Sequence, residues 1–441
     1  MGAGIDYRTR NRRTAFWIAP VVGALTAIAL ATVALVVDNA ADWVDSPFPV
    51  FAGEKDTART MLSVIAGSVT TLIALVFTIL AVIIQLASSQ YSPRALNTLL
   101  EDRPSHWTIG VFVGTFTYCL VLLLTLRFTT TDLDHEVAGL SLTVAFVLAV
   151  VSIGTFAVYS NHIIHSARIT SIVTRIAGAA HEVIDTYYQA PYEDHDEESD
   201  STSEPPRESD SSAQGAGDEV CIMAPESGLL VDFDENMLLD VATRMGGVVR
   251  ILPRIGTYVP KGTPFILLVG GKTVADADRK RLEKKVRLSA ERSLDRDLGF
   301  GLRQLVDIAA RALSTGINDP ATAVQVIDQL HDLMRVLVVR RLGTAAKEDE
   351  HGVVRVEWNI PSWGELSSLA LNELRLHGES SVHVMRRLRA LVEDLHGVAP
   401  EGRKATLRRQ LRLLDKSVER TFHDNVVREQ ARQADSGGAS F

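Results

Sequence analysis

The sequence predicts an α-helical membrane protein: four transmembrane helices, then a cytoplasmic α+β region with a small barrel-sandwich-like β unit and a helical part. Three observations carry this. Four windows free of Asp, Glu, Lys and Arg run from about Ala15 to Val37, Met61 to Ala87, Thr108 to Leu126 and Ala138 to Ser160. Each has the roughly 20 apolar residues that a helix needs to cross a hydrocarbon core. Short β-type runs bounded by Gly and Pro follow between Val220 and Gly271, and past Lys272 apolar residues recur at helical spacing.

The first window follows Arg8, Arg10, Arg12 and Arg13, as a signal-peptide h-region would. Its apolar run is longer than an h-region and a second span follows, so it is expected to be a retained helix. Orientation follows from Lys and Arg in the short flanks. The N-terminal tail carries those four Arg, and Arg94 and Arg103 follow the second window. Residues 38–60 are mostly acidic, RFTTTDLDHEVAG after the third window has one Arg against three acids, and Arg168 and Arg175 lie beyond the fourth. All five segments agree on two cytoplasmic termini. No window contains Asp, Glu, Lys, Arg or His, which counts against proton-coupled transport, voltage sensing and redox-driven pumping.

Cys119, inside a window, and Cys221 are the two cysteines, too few for a disulfide framework or a cysteine-built metal site. The net charge is −9, yet residues 192–219 alone hold eleven acids and one Arg, so the rest of the chain stands at +1. That Ser-, Pro- and acid-rich stretch cannot bury enough apolar surface to offset its ordering entropy. The expected organisation is a four-helix transmembrane domain with a cytoplasmic helical extension (1–190) and an acidic disordered linker (191–219). A small β-barrel-like domain (220–274), a helical cytoplasmic domain (275–433) and a disordered tail (434–441) follow. The extension is read as one helix from Asn161 to about Tyr188.

In the β part, GTYVPKGTPFILLV places Gly256 and Gly262 around a turn, with Val259 and Phe265 facing inward. This is similar to half of a biotinyl/lipoyl barrel sandwich, but no carrier-lysine hairpin is present, so a structural barrel is expected. DRKRLEKKVRLSAERSL reads as a charged, exposed helix.

In STGINDP, Leu313 ends one apolar stripe, Gly316 can take the positive-φ position after a helix, Asp319 is an N-cap and Pro320 fits the first turn of the next helix. Stopping one helix and starting another explains most of these residues. Ser314, Thr315, Asn318 and Asp319 also gather oxygens at a helix N-terminus, so Ser314, Thr315, Gly316, Asn318, Asp319 and Pro320 form a candidate functional turn. One strong acid is too few for a calcium site.

RSLDRDLGFGLRQLVDIAARALSTGINDPATAVQVIDQL, SSQYSPRAL and GLLVDFDENMLL with GTYVPKGTPFILL resemble segments of a family of predicted bacterial membrane proteins, domain of unknown function 2254. The resemblance covers essentially the whole chain apart from the acidic linker. It implies a multi-pass protein of the bacterial inner membrane and brings no activity, so no catalytic residue follows.

The second window is the informative one. Gly67, Thr71, Ala74, Thr78, Ala81, Gln85 and Ser88 recur at steps of four and three, a seam of small or polar residues on one helix face. Such a seam either packs helices closely or lines a narrow pore in an oligomer. Gly110 and Gly114 form a small-xxx-small pair in the third window. His162 and His165 could share a metal, but no third ligand is identifiable, so an interface or capping role is expected. Arg403, Lys404, Arg408, Arg409, Arg412, Lys416 and Arg420 read as a solvated or headgroup-facing helix, without the aromatics of a nucleic-acid site. The leading expectation is a homo-oligomeric passive channel or gated pore for ions or small solutes. The alternative is a membrane-anchored scaffold with a cytoplasmic protein partner, and an enzyme ranks third. No cofactor, metal or nucleic acid is expected.

Overall fold

The computed structural model describes residues 12–40, 55–90, 103–128, 139–166, 168–192, 219–271 and 275–435. The acidic stretch 193–218, the Ser92-Pro93-Arg94 motif and the tail from 436 lie outside the described residues. Two compact units meet between Ile172 and Val173.

The first unit holds α1 (Arg12–Ala40), α2 (Lys55–Gln90), α3 (Arg103–Phe128) and α4 (Gly139–Ser166). Each contains a stretch long and apolar enough to cross a membrane: Ile18–Asp38, Asp56–Gln85, Trp107–Leu126 and Gly139–Ile164. These coincide with the four sequence windows to within a few residues at most ends.

Because lipid offers no hydrophobic drive between helices, close packing and polar contacts must hold them together. α1 and α3 achieve it with backbone: a Cβ on Gly23 would stand 2.2 Å from the Gly110 carbonyl oxygen, and one on Gly114 would stand 3.1 Å from that of Gly23. The Gly110 and Gly114 pair thus meets Ala19 and Gly23 of α1. Thr115 of α3 and Ser152 of α4 share a buried hydrogen bond of 3.0 Å, a contact worth about 0.6 kcal/mol in a bilayer. Asp38, one residue beyond the charge-free window, is buried and caps α4, accepting from the amides of Leu140 (3.1 Å) and Ser141 (2.9 Å). A carboxylate suits that end of the helix dipole. Leu62, Phe112, Tyr118, Leu142 and Tyr159 fill the centre.

The expected continuous helix from Asn161 is interrupted. α4 ends at Ser166 and α5 (Ile169–Tyr187) starts afresh, with the amides of Ser171 and Ile172 donating to the Arg168 carbonyl.

From Val173 onward α5 is part of the second unit, where Ile176, Ala180 and Ile184 are buried. A Cβ on Gly301 would be 3.3 Å from that of Ala180, so α5 rests directly on the helix bearing Gly301.

The second unit continues with β1 (Glu219–Met223), β2 (Gly228–Phe233), α6 (Glu235–Met245), β3 (Val248–Ile251), β4 (Tyr258–Val259), β5 (Pro264–Val269), α7 (Asp276–Lys285) and β6 (Val286–Ser289). α8 (Leu298–Ala312), α9 (Pro320–Leu337), the hairpin β7 (Thr344–Glu348) and β8 (Val354–Asn359), then α10 (Trp363–His377), α11 (Val382–Val398), α12 (Glu401–Thr421) and α13 (Asn425–Arg432) complete it. One sheet has the order β1-β5-β3-β8-β7, with β3 and β8 parallel, and a second has β4-β2-β6.

The predicted turn is present: Gly256 and Gly262 have φ of +83° and +79°, and Val259 and Phe265 are buried. The barrel-sandwich detail is not confirmed, because the larger sheet recruits β8 and β7 from beyond residue 340. The single helix expected over DRKRLEKKVRLSAERSL ends at Lys285, where Val286, buried, opens a strand that pairs with β2. The free edge of β2 overrides local helix propensity there. The helix that carries Arg403 to Arg420 ends at Thr421, and Asp424 caps α13 anew.

Candidate functional sites

On α2, the described face opposite the seam is buried: Ala58, Leu62, Ile65, Ala66, Val69 and Val76. Gly67, Thr71, Ala74, Thr78, Ala81 and Gln85 are all exposed in the chain, and the Ser88 side chain lies outside the described ones. A Cβ on Gly67 would meet nothing within 4 Å. The Thr71 and Thr78 hydroxyls donate to the carbonyls of Gly67 (3.1 Å) and Ala74 (2.8 Å), one turn back. Among the described residues the seam therefore has no packing role inside its own four-helix unit, unlike the Gly23–Gly110–Gly114 contact.

The 314–320 turn is built as a corner between α8 and α9. Asp319 caps α9, its carboxylate accepting from Thr322 N (3.1 Å) and Thr322 Oγ1 (2.5 Å), while its amide donates to Ala312 O (2.8 Å). Ser314 Oγ donates to Arg311 O (2.7 Å). Gly316 does not take the expected left-handed conformation; Asn318 does, with φ +51°. Asn tolerates that region better than other side-chain residues, which explains its presence. Thr315 and Gly316 are exposed and Pro320 is half-buried at the start of α9. The turn thus brings the candidate residues together, with the Asp319 carboxylate committed to its own helix.

Sequence reasoning missed a buried arginine. Arg296, 7% exposed, lies between β6 and α8 with its guanidinium carbon 3.9 Å from the Phe233 ring, 4.6 Å from Tyr187 and 5.9 Å from Trp358. Its Nη1 donates to Phe233 O (2.9 Å) and Asp232 Oδ1 (3.3 Å), and Nη2 to Glu235. The neighbouring Asp297 caps α8 through Phe300 N (2.9 Å) and accepts from Arg292 Nε (2.8 Å) and Nη2 (3.0 Å). Burial pushes its carboxyl above the usual carboxylate range, against the opposing pull of Arg292. A Cβ on Gly256 would stand 2.2 Å from Asp297 Oδ2, so this turn admits only glycine. The signal was the charge alternation in RSLDRD, but nothing local reveals which aromatics surround it.

Tyr187, Tyr188, Arg296, Asp297, Trp358 and Asn359 line a cleft with about 20 Å³ of free volume. That is room for about one water, far from the roughly 300 Å³ of a small-molecule site. The aromatic cage is filled by the chain's own cation.

Arg403 departs from the expected solvated face. It is 1% exposed and donates from Nη1 to Leu337 O (3.0 Å) and Val338 O (2.9 Å) at the C-terminus of α9. Arg408, Arg409, Arg412, Lys416 and Arg420 are exposed as expected. Among the described residues no group of three or more His, Cys, Asp or Glu is arranged to hold a metal. His165 has no described side chain.

Residues 13–394 match the family described as Predicted membrane protein (DUF2254). The chain belongs to this family. This DUF2254 protein is also similar to an uncharacterized protein of Mycobacterium bovis, Mb1321c, and one of Mycobacterium tuberculosis, Rv1290c. Each is 29% identical over 397 residues, covering 86% of this chain and 71% of the relative. No solved structure matches the chain. The DUF2254 match runs from α1 into α11, so it takes in the four spans, the buried arginine and the 314–320 corner.

Proposed function

We propose that this DUF2254 protein is a homo-oligomeric passive channel of the bacterial inner membrane, with both termini cytoplasmic and the α2 seam facing a neighbouring copy and the path between copies. The observation that supports it is the exposure of Gly67, Thr71, Ala74, Thr78, Ala81 and Gln85 along a helix whose other face is buried. In a single chain that face meets lipid, where small residues and a glutamine amide gain nothing over Leu or Ile. Against a second copy, small side chains let helices approach, and Gln85 and the threonines supply the polar lining that ions or small solutes need.

The test combines oligomeric mass in detergent with currents in planar bilayers and thiol accessibility of Cys substitutions along the seam. Thr78→Leu and Gln85→Leu are expected to change conductance, and seam cysteines to react with aqueous reagents. A silent oligomer whose seam cysteines are all inaccessible would remove the pore.

A second reading draws on the threonine hydroxyls that donate to their own helix and so do not require water. In that reading the seam only packs copies together, and the second unit, with its 314–320 corner, recruits a cytoplasmic protein.

A further inference from the structure

Arg408, Arg412 and Lys416 recur every fourth residue on α12 and share one face, flanked by Arg409. All four are exposed, and among the described residues none pairs with a carboxylate. The nearby acids make their ion pairs elsewhere: Asp415 with Arg389, Glu419 with Arg432 (2.6 Å) and Glu401 with Lys404 (2.8 Å), Arg408 acting on Glu401 only at longer range. Four like charges on neighbouring turns repel one another, so an anionic partner is favoured there.

The same chain carries a polyanion whose point of departure is fixed at this helix. Tyr192, the last described residue before the acidic stretch, has its ring 4.6 Å from the Arg403 guanidinium carbon in the first turn of α12. Its amide donates to Val339 O (2.9 Å), and Pro191 bridges to Arg340. Residues 193–218 hold ten acids against one Arg. The path from Arg403 to Lys416, about 20 Å along α12 and half a turn round a helix about 10 Å across, can be spanned by about ten extended residues.

We propose that the 193–218 segment docks in cis on the Arg408, Arg409, Arg412 and Lys416 face of α12. Tethered at Arg403, on the side of α12 opposite the basic face, the segment can pass round the helix, and its acids are held at an effective concentration on the order of millimolar near that face. Because both surfaces are solvated, salt governs the contact: the screening length falls from about 10 Å at 0.1 M to about 3 Å at 1 M. The inference is independent of whether α2 lines a pore.

The test uses the full chain in phosphatidylcholine nanodiscs, where no anionic lipid competes, with carbodiimide to join amines to touching carboxylates. The expected result is a cross-link from Lys416 to acids within 193–218, at least about fivefold weaker in 1 M salt, where the contact is screened, and in the Arg408→Gln, Arg409→Gln, Arg412→Gln triple variant, where three of its four cations are gone. These positions are exposed, so the variant keeps its melting temperature. A Lys416 that an acetylating reagent labels but that gives no such cross-link overturns the proposal. In protein mixed from light and heavy isotopes, cross-links joining the two would assign the contact to a second copy and overturn docking in cis. Phenylglyoxal labelling separates the lipid source. Protection of Arg408 and Arg412 only in phosphatidylglycerol nanodiscs, unaffected by replacing the segment's acids with Asn and Gln, would give the face to the bilayer instead.

Discussion

Arg296 is a charge kept out of water, and its neighbours set the cost of removing it. Replacing it with Ala deletes contacts to three rings and leaves Asp232 and Glu235 with only their longer pairings to Arg287 (3.5 Å) and Lys347 (3.4 Å). Breaking a buried pair typically costs about 3–5 kcal/mol; the carboxylates are partly solvated, so about 3 kcal/mol is expected, read from denaturant unfolding of the second unit. Arg296→Lys keeps the charge but not the planar stacking, and should recover only part of the loss. Asp349, in the turn of the β7–β8 hairpin, gives a pH signature. Its carboxylate accepts from Arg355 Nε (2.8 Å) and from the amides of Val353 (3.0 Å) and His351 (2.9 Å), the Arg355 bond foremost in holding its pKa down at about 2. A folded pKa below the unfolded value of about 3.9 means stability that is present above pH 4 and lost as pH falls from about 4 towards 2. Melting temperatures across that window should fall less steeply for Asp349→Asn than for the unaltered chain.

Between elements, the α1–α3 crossing sets backbone directly against backbone. A side chain at Gly23 collides with the backbone carbonyl of Gly110, and no rotamer relieves a clash that begins at Cβ. Gly23→Val should therefore destabilise by at least about 3 kcal/mol, the upper end for overpacking, seen as a lower melting temperature in detergent. Gly154→Ala, where an added Cβ meets nothing within 4 Å, should stay within about 0.5 kcal/mol. Such a joint is half-legible in sequence: GVFVG marks α3, while Ala19 and Gly23 became its partners only once the helices were assembled. The spans were legible because about 20 apolar residues have few other uses. The 314–320 corner was legible in its caps, Asp319 and Pro320, but the left-handed residue fell to Asn318 because the turn places its reversal two residues later than Gly316 suggests. β6 and Arg296 were illegible, since a strand edge 55 residues away and three distant rings determine them. Asp38 escaped notice because its role, capping α4 across about a hundred residues of chain, is set by the packing of helices and not by its neighbours.

At the scale of the whole chain, the division after Ile172 separates two kinds of stabilisation. The first unit exposes Leu25, Val33, Val147 and Ile153 on its outside and needs lipid or detergent around them. The second has a water-type interior: Trp363, Phe265, Leu305 and Leu391 are buried, and its surface is laced with ion pairs such as Arg254–Glu365 and Arg303–Glu373. α5 lies almost wholly in this second unit, with Ile176, Ala180 and Ile184 in its interior. Removing α5 would thus open that core, whereas cutting before it at residue 168 would not. The expected outcome is that residues 168–441 are expressed as a soluble, folded protein with one cooperative unfolding transition by circular dichroism. A chain begun at residue 190 should lose several kcal/mol, because burying each large aliphatic side chain of α5 contributes about 2 kcal/mol. Aggregation of both fragments to the same degree would instead mean that the second unit depends on the spans for its fold.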